Sequence, residues 1–170
     1  CSGIKSIKVN MVVMKGFNND EITDFVELTK NNDITVRFIE LMPFDSHQIW
    51  KTGKFYRADH IVNDLRSHYR TLSPVTGSST EYYIFKIKEY AGRVAVIPSY
   101  TRSLCSACNR IRVTADGNLL NCLYSRSETN MRDAIRNGMK NEGLKNLIVG
   151  SMQKKLKDGL MAQNQGNDSR

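Results

Sequence analysis

Several features that would assign the chain to a membrane or secreted class are missing from its sequence. The 170 residues include only 3 Pro, 4 Cys and 1 Trp. No apolar run reaches the length of a transmembrane helix and no secretory signal is visible, so we expect no membrane partner. Few cysteines, most of them close together, favour metal binding in a reducing compartment over a disulfide framework. We therefore predict a protein of the cytoplasm, or of an organelle matrix if the source is eukaryotic.

Acidic side chains are also scarce relative to basic ones. The chain has 17 Asp and Glu against 25 Lys and Arg, which gives a formal net charge of +8. Such an excess favours a polyanionic partner, and a nucleoside triphosphate meets that requirement as well as a nucleic acid does. Hydrophobic residues make up 40% of the sequence, so a chain of this length can bury a core of its own.

Two β-branched apolar segments, residues 7–14 and 35–42, predict buried parallel strands. Between them, Asn18 and Glu21 have the spacing of a capping box that opens a helix over 20–30. Strand, helix and strand at this spacing form a βαβ unit, which is parallel and right-handed. Two parallel strands need neighbours that the sequence does not obviously supply, so we expect part of a larger sheet.

The rest of the chain has the patterns of short helices and antiparallel strands. We expect a loop at 73–80, a hairpin of strands at 81–89 and 93–98, and helices at 57–69, 130–137 and 144–156. Three lysines lie at the end of the last helix, Lys154, Lys155 and Lys157, and we expect the helix dipole and solvent to account for them.

Three of the cysteines lie in one stretch, which reads LCSACNRIRVTADGNLLNCL. Cys105 and Cys108 form a C-x-x-C pair, and Cys122 follows a turn signal at Asp116-Gly117. Short apolar runs on both sides of that turn predict a β-hairpin, which would return Cys122 to the first pair. Three thiolates can therefore converge on one metal site.

The same stretch lacks an obvious fourth ligand. A structural zinc site normally closes with four protein ligands, but no His or Cys lies between Cys108 and Cys122. A [4Fe-4S] cluster on three cysteines would instead leave one iron open to an outside ligand. A zinc knuckle with a distant ligand stays open as the alternative, and it would need His47, His60 or His68. Each histidine is more readily explained as an ordinary surface or core residue.

Two arginines, Arg110 and Arg112, follow the first cysteine pair. Residues two apart on a strand point to the same face, so we expect both guanidinium groups beside the metal. Their planar forks suit phosphate oxygens and the edges of bases. A purely structural zinc knuckle does not need such a pair, so the pattern favours a metal cluster with a bound anionic ligand.

The motif C-x-x-C-N-R-x-R-x-T-x-D-G-x-x-x-x-C-L resembles the C-terminal signature of the GTP 3′,8-cyclase family. These are the radical S-adenosylmethionine (SAM) enzymes that begin molybdenum cofactor synthesis. The resemblance extends over nearly all of residues 4–158. It implies that Cys105, Cys108 and Cys122 hold a [4Fe-4S] cluster whose open iron binds the guanine of GTP.

Further substrate contacts follow from the same resemblance. It implies that Arg110, Ile111 and Arg112 contact GTP. It also implies a GTP contact for Lys8, which belongs to a K-x-N strand motif, with Asn10 as its neighbour. Without the resemblance, Lys8 is equally well explained as a lysine that packs its aliphatic stem along the strand and keeps its ammonium in water.

The segment R-F-I-E-x-M-P also resembles the family. There the resemblance implies that Met42 contacts SAM through its backbone region, with Arg37 as a polar contact in the same area. Adjacent strand positions point to opposite faces, so Arg37 and Ile39 should share one face while Glu40 and Met42 share the other. Without the resemblance, the two charges would be strand-end residues facing solvent, and Met42 would fill a gap in the core.

Two features of the family are absent from this sequence. The chain has no C-x-x-x-C-x-x-C motif, which binds the SAM-cleaving cluster in the family, and it ends in Asn-Asp-Ser-Arg where the family commonly has a glycine pair. We therefore expect SAM and a second [4Fe-4S] cluster only together with the family's N-terminal half. We expect no catalytic residue in this chain and no activity from it alone.

These observations combine into an α/β protein that is the C-terminal half of a GTP 3′,8-cyclase. Residues 1–72 would form the last strands and helices of an incomplete (β/α) TIM-like barrel, 73–160 a cluster- and GTP-binding α+β extension, and 161–170 a disordered tail. The resemblance implies radical conversion of GTP to (8S)-3′,8-cyclo-7,8-dihydroguanosine 5′-triphosphate. It further implies a full-length homodimer, the cyclic pyranopterin monophosphate synthase as the next enzyme, and no nucleic-acid partner.

Two other functions stay open at this point. One is the auxiliary-cluster part of another radical SAM maturase that acts on a peptide, which would usually carry more cluster cysteines. The other is a basic zinc-knuckle module that binds nucleic acid, which would show aromatics interleaved with Lys and Arg and a fourth zinc ligand. Neither feature is evident in the sequence.

Overall fold

The computed structural model describes residues 6–42, 53–75, 83–99, 101, 108, 110–123, 125 and 128–156. The chain divides into two compact units, Cys1–Arg102 and Ser103–Arg170. This division falls later in the chain than the boundary between residues 72 and 73 that we expected, because strands after that point belong to the first sheet. The expected tail at 161–170 lies outside the described residues.

The first unit is a mixed α/β layer built on one five-stranded sheet. Its elements are β1 (Ile7–Val13), a 3-10 turn (Asn19–Glu21), α1 (Ile22–Glu27), β2 (Ile34–Glu40), α2 (Ala58–His68), β3 (Leu72–Pro74), β4 (Tyr83–Ile87) and β5 (Arg93–Ile97). The strand order is β1-β2-β5-β4-β3. β1, β2 and β5 run parallel, whereas β3 and β4 are antiparallel additions. The α/β class, the parallel β1–β2 pair and the β4–β5 hairpin are thus confirmed.

The chain itself supplies a neighbour that we did not expect for β2. Val36 pairs with Val94, and Phe38 pairs with Val96, so β5 lies parallel to β2 on the side opposite β1. Gly92 precedes β5, and a side chain at this position would come within 2.3 Å of the Ile34 carbonyl oxygen. The parallel pair therefore depends on a close backbone approach that only glycine permits.

Strand alternation sets the core on one face of this sheet. Val36, Phe38 and Glu40 of β2 are buried, while Arg37 and its neighbours on the other face are half-buried. The core joins strand residues to helix residues, namely Met11, Val13, Val36, Phe38, Phe85, Ile87, Val94 and Val96 with Ile22, Val26, Ala58, Ile61 and Leu65. Each large side chain buried in this way contributes about 1.5–3 kcal/mol to stability.

The turn after β1 differs from the expected capping box. Asn18 makes no side-chain cap to the 3-10 turn that it precedes. Instead, its Oδ1 accepts a hydrogen bond from the Met14 N–H at 2.8 Å, and its Nδ2 donates to the Val12 carbonyl at 3.0 Å. The helix is also shorter than expected, because Thr29 and Lys30 form a turn whose carbonyls bond to the N–H groups of Gly92 and Ala91.

The second unit combines a small antiparallel sheet with two helices. Its elements are β6 (Arg112–Val113), β7 (Asn118–Leu120), β8 (Thr129–Asn130), α3 (Met131–Arg136) and α4 (Asn141–Gln153), with strand order β6-β7-β8. Asn130 caps α3, since its side chain accepts the Asp133 N–H at 2.9 Å. Throughout the part of the chain described, no helix is long and apolar enough to cross a membrane.

Candidate functional site

Two of the three predicted cluster ligands lie in the described part of the second unit. Cys108 and Cys122 are half-buried and carry free thiols. Cys105 lies outside the described residues, so the predicted triad is only partly visible. Within the described ranges no group of three His, Cys, Asp or Glu side chains could hold a metal ion.

The hairpin that carries Cys122 forms as expected. Arg112 pairs with Leu120 and Val113 with Leu119. The Asp-Gly turn closes this hairpin, because the Gly117 N–H donates to the Thr114 carbonyl at 3.0 Å and Gly117 adopts a positive φ of 84°.

The segment around Cys108 is held by a lysine that the sequence did not indicate. The Lys155 ammonium donates to the Cys108 carbonyl at 2.9 Å, to the Cys108 Sγ at 3.3 Å and to the Arg110 carbonyl at 2.9 Å. Lys155 is half-buried, which contradicts the expectation that solvent and the helix dipole account for it. No local pattern distinguishes it from its neighbour Lys154, which is exposed.

A second contact joins the same helix end to the other cysteine segment. Asn121, next to Cys122, is buried and its Nδ2 donates to the Ser151 carbonyl at 2.8 Å. Ser151 belongs to the last turn of α4. The C-terminal end of α4 therefore fixes both described cysteine segments.

The Cys108 thiol lies in an environment that favours the thiolate. Burial raises its pKa, but hydrogen bonds from the Arg110 backbone N–H and the Lys155 ammonium, together with both positive charges, lower it further than burial raises it. The net result is a Cys108 pKa below the usual thiol value. A thiolate that accepts N–H donors is the form in which cysteine binds metals, so this donor set fits an iron–sulfur ligand.

The predicted substrate segment is open to ligand on at least part of its surface. Arg110 is exposed, Ile111 is 43% exposed and Arg112 is half-buried. β6 begins at Arg112, so the strand argument that placed both guanidinium groups on one face does not extend back to Arg110.

In the first unit, Lys8 and Arg37 lie on the same face of the sheet. Lys8 pairs with Thr35, and Asn10 pairs with Arg37, so the two cations belong to adjacent strands and are two residues apart in register. This face is opposite the hydrophobic core. Met42 follows the end of β2 and is half-buried.

Glu40 has a structural role that sequence reasoning missed. Its carboxylate is fully buried and accepts the backbone N–H of Ala58, and it also accepts the N–H and hydroxyl of Thr101 at 2.9 and 2.7 Å. The signal available in the sequence was a charged residue in an apolar strand, which without the resemblance is explained as a solvent-facing strand end. The expected opposition of Arg37 and Glu40 across the sheet is confirmed.

The histidines considered as distant zinc ligands have ordinary surroundings. His60 packs edge-on against the Tyr56 ring, and the His68 Nδ1 donates to the Asp64 carbonyl at 2.8 Å. Both are exposed on α2. His47 lies outside the described residues.

The first unit also contains a cleft of about 720 Å³. It is lined by α2 and by residues of β3 and β4, with Arg57, Asp59 and Arg66 as its charged groups. None of the predicted site residues lines this cleft, so it is not part of the predicted site.

Comparison with known proteins gives one consistent family. A family model described as "Molybdenum Cofactor Synthesis C" matches residues 34–160. The chain is 44% identical to a protein named GTP 3′,8-cyclase of Chlorobaculum tepidum, over 91% of this chain and 47% of the relative. It is 38% identical to the GTP 3′,8-cyclase, mitochondrial, of Arabidopsis thaliana, over 90% of this chain and 39% of the relative.

A eukaryotic relative with a different printed name gives the same result. The protein named Molybdenum cofactor biosynthesis protein 1 of Dictyostelium discoideum is 39% identical over 88% of this chain and 24% of the relative. The chain thus spans about half or less of the length of these relatives. It belongs to the GTP 3′,8-cyclase family of molybdenum cofactor biosynthesis and corresponds to that family's C-terminal region.

Proposed function

We propose that this chain is the GTP-holding part of a GTP 3′,8-cyclase. In this proposal Cys105, Cys108 and Cys122 hold a [4Fe-4S] cluster with one iron open to the substrate. Family membership supports the proposal, as does a cysteine segment that carries free thiols rather than a disulfide. The sequence supplies no His or Cys between Cys108 and Cys122 as a fourth zinc ligand, which favours a cluster over a zinc knuckle.

The observation that carries the proposal is the pair of N–H donors on the Cys108 sulfur. The Lys155 ammonium and the Arg110 backbone N–H both donate to this atom. Hydrogen bonds to ligand sulfurs orient the ligand and tune an iron–sulfur centre. The Ser151 carbonyl of α4 accepts the side chain of Asn121 beside Cys122, so the helix end that carries Lys155 contacts both cysteine segments.

The chain's own contribution is to bind and orient the nucleotide. The open iron would supply a Lewis-acidic position for the guanine ring. The Arg110 and Arg112 guanidinium groups would bind phosphate oxygens or base edges, and exposed Ile111 would offer apolar contact to the base. Lys8 would neutralise further phosphate charge. Fixing the substrate in this way lowers the entropic part of the barrier without acid–base chemistry.

The first unit would belong to the SAM-binding barrel of the complete protein. Its parallel strands β1, β2 and β5 are compatible with the last part of an incomplete (β/α) barrel. Arg37 and Met42 would contact SAM there, and the second [4Fe-4S] cluster would come with the family's N-terminal half. The complete enzyme would convert GTP to (8S)-3′,8-cyclo-7,8-dihydroguanosine 5′-triphosphate by radical chemistry.

The biological setting is part of the same proposal. The complete protein would be a homodimer without a membrane or nucleic-acid partner. Its product would pass to the cyclic pyranopterin monophosphate synthase. It would work in the cytoplasm, or in an organelle matrix in a eukaryote, as the name of the mitochondrial Arabidopsis relative indicates for that protein.

Anaerobic reconstitution tests the proposal directly. Iron, sulfide and zinc are measured on the purified protein, and its visible spectrum is recorded with GTP and, as the matched nucleotide, with ATP. We expect about four irons per chain and a spectrum that GTP perturbs more than ATP does. One zinc without iron, and no response to GTP, would overturn the proposal.

A further inference from the structure

Lys155 is engaged in a way that a surface lysine is not. A lysine ammonium has three N–H donors and no acceptor. All three donors of Lys155 are matched, to the Cys108 carbonyl, the Cys108 Sγ and the Arg110 carbonyl. Nothing is left over to bind a phosphate, so this lysine serves the cysteine segment and not the nucleotide.

The position of Lys155 is set by α4. Its backbone N–H donates to the Met152 carbonyl at 3.0 Å, which continues the last turn of the helix. One turn earlier, the Ser151 carbonyl accepts the Asn121 side chain beside Cys122. The ammonium is therefore delivered to the Cys108 sulfur from a helix end that is already docked on the hairpin.

We propose that Lys155 is a positioning residue that fixes the Cys108 ligand and raises the reduction potential of the cluster held there. This inference rests on the proposed function, since it needs the cluster to exist. The positive charge lies 3.3 Å from a ligand sulfur. A reduced cluster carries one more negative charge than the oxidised one, so a nearby cation stabilises the reduced form more.

The two effects of Lys155 can be separated by substitution. Lys155→Met keeps an unbranched side chain close to the length of the lysine stem and removes the charge and all donors. Lys155→Arg keeps the charge, but a planar fork cannot direct donors to two carbonyls and one sulfur in the same geometry. Lys154, adjacent in sequence and exposed, provides the matched controls Lys154→Met and Lys154→Arg.

The potential is measured by anaerobic redox titration of the reconstituted protein, followed by its visible and electron paramagnetic resonance spectra. We expect Lys155→Met to shift the reduction potential to more negative values. Lys155→Arg, which keeps the charge, should have a potential close to that of the wild type. Lys154→Met should match the wild type. A Lys155→Met protein with a full cluster and the wild-type potential would overturn the inference.

A second readout covers the case in which Lys155→Met does not fold. Iron release to a chelator is timed for Lys155→Arg and Lys154→Arg. We expect several-fold faster release from Lys155→Arg alone, because the Cys108 segment is held less completely. Equal release rates would overturn the positioning role. Failure of the wild type itself to bind a cluster would instead overturn the proposed function.

Discussion

The buried carboxylate of Glu40 accepts the backbone N–H of Ala58, the first residue of α2. Arg57, the N-cap residue of this helix, makes no side-chain cap of its own. A residue at the end of β2 thus caps a helix that begins 18 positions later in the chain. The negative charge also lies at the positive end of the helix dipole, where it is favourable. Glu40 therefore fixes the crossover from β2 through α2 to the rest of the sheet.

Replacing Glu40 should destabilise the first unit in graded steps. Glu40→Ala leaves the buried Ala58 N–H without an acceptor and should cost about 2–3 kcal/mol. Glu40→Gln turns an N–H₂ group toward a donor, but it keeps one acceptor oxygen. Its cost should therefore be smaller than that of Glu40→Ala. Urea unfolding measures the free energy of unfolding of both variants.

The control is Glu142→Ala, which removes an exposed ion pair with Lys145 and should change the unfolding free energy by less than about 0.5 kcal/mol. Equal effects at the two sites would contradict the capping role.

Gly92 should tolerate no side chain. An added Cβ would meet the Ile34 carbonyl oxygen at 2.3 Å and the Asn32 carbonyl oxygen at 2.6 Å, and both are backbone atoms that cannot rotate away. We expect Gly92→Ala to cost about 3 kcal/mol, the upper end of overpacking penalties, as measured by the urea midpoint.

Alanine substitutions at two other glycines distinguish the cost of this clash from the cost of backbone strain. Gly16 has a positive φ of 66° and open space around it, so Gly16→Ala should show the strain cost alone, about 1 kcal/mol. Gly150 lies in α4 with open space, and Gly150→Ala should be neutral or stabilise by up to about 1 kcal/mol. If Gly92→Ala lowered the free energy of unfolding no more than Gly16→Ala does, the predicted backbone clash at Gly92 would be contradicted.

Elements with a local pattern were predictable from the sequence. The apolar runs gave β1 and β2, and the Asp116-Gly117 signal gave the β6–β7 hairpin. The partner of β2 was not predictable, because alternation identifies a strand but does not name its neighbour. The Ser, Thr and Gly content of residues 73–80, with one Pro, predicted a loop, yet Pro74 ends β3, an edge strand where a missing N–H is tolerated.

The candidate site shows the same division between local and tertiary information. Cysteine and arginine spacing could be read directly from residues 105–122. The partner of Cys108, Lys155, lies 47 positions away and reaches it only because α4 docks on the hairpin. The acceptor role of Glu40 was likewise not predictable, since it depends on where α2 begins. Such contacts arise from packing and leave no pattern in the local sequence.

Tyr56 should make stability depend on alkaline pH. Burial, and after it the hydrogen bond to Asp64 and the charge of that carboxylate, raises the Tyr56 pKa to about 12. The folded pKa thus exceeds the unfolded value of about 10, so the stabilisation is complete below pH of about 10 and is lost as the pH rises toward 12. Tyr56→Phe should cost about 1 kcal/mol near neutral pH.

The difference between wild type and Tyr56→Phe isolates this group from other alkaline titrations. Urea unfolding at pH values of roughly 8 and 11, on either side of the ordinary pKa of a tyrosine, should show the difference shrinking at the higher pH. Asp64→Asn keeps an acceptor for the phenol and removes the charge, so its stability should fall less steeply over the same interval. A difference that stays constant with pH would contradict the assignment.

Cys122 should be required for iron binding, whereas Cys1, the one cysteine of the sequence outside the motif, should not. Removing one of three thiolates leaves too few ligands for a stable four-iron cluster. We therefore expect Cys122→Ala to lose most of its iron after reconstitution, with Cys1→Ala retaining the wild-type content. Iron and sulfide assays measure both variants, and circular dichroism reports whether they fold. A folded Cys122→Ala protein with full iron content would remove Cys122 from the ligand set.

Arg112 should contribute directly to GTP affinity. Loss of a charge-assisted hydrogen bond to phosphate or base costs about 1.5–3 kcal/mol, which weakens binding roughly 10–100-fold. We expect that loss for Arg112→Ala, and an intermediate one for Arg112→Lys, because lysine keeps the charge and loses the fork. Affinity is measured by GTP titration of the cluster spectrum.

Arg136 is an exposed arginine at the end of α3, so Arg136→Ala is the matched control for net charge. If both alanine variants weakened GTP equally, the net positive charge of the chain, and not a specific contact by Arg112, would account for binding.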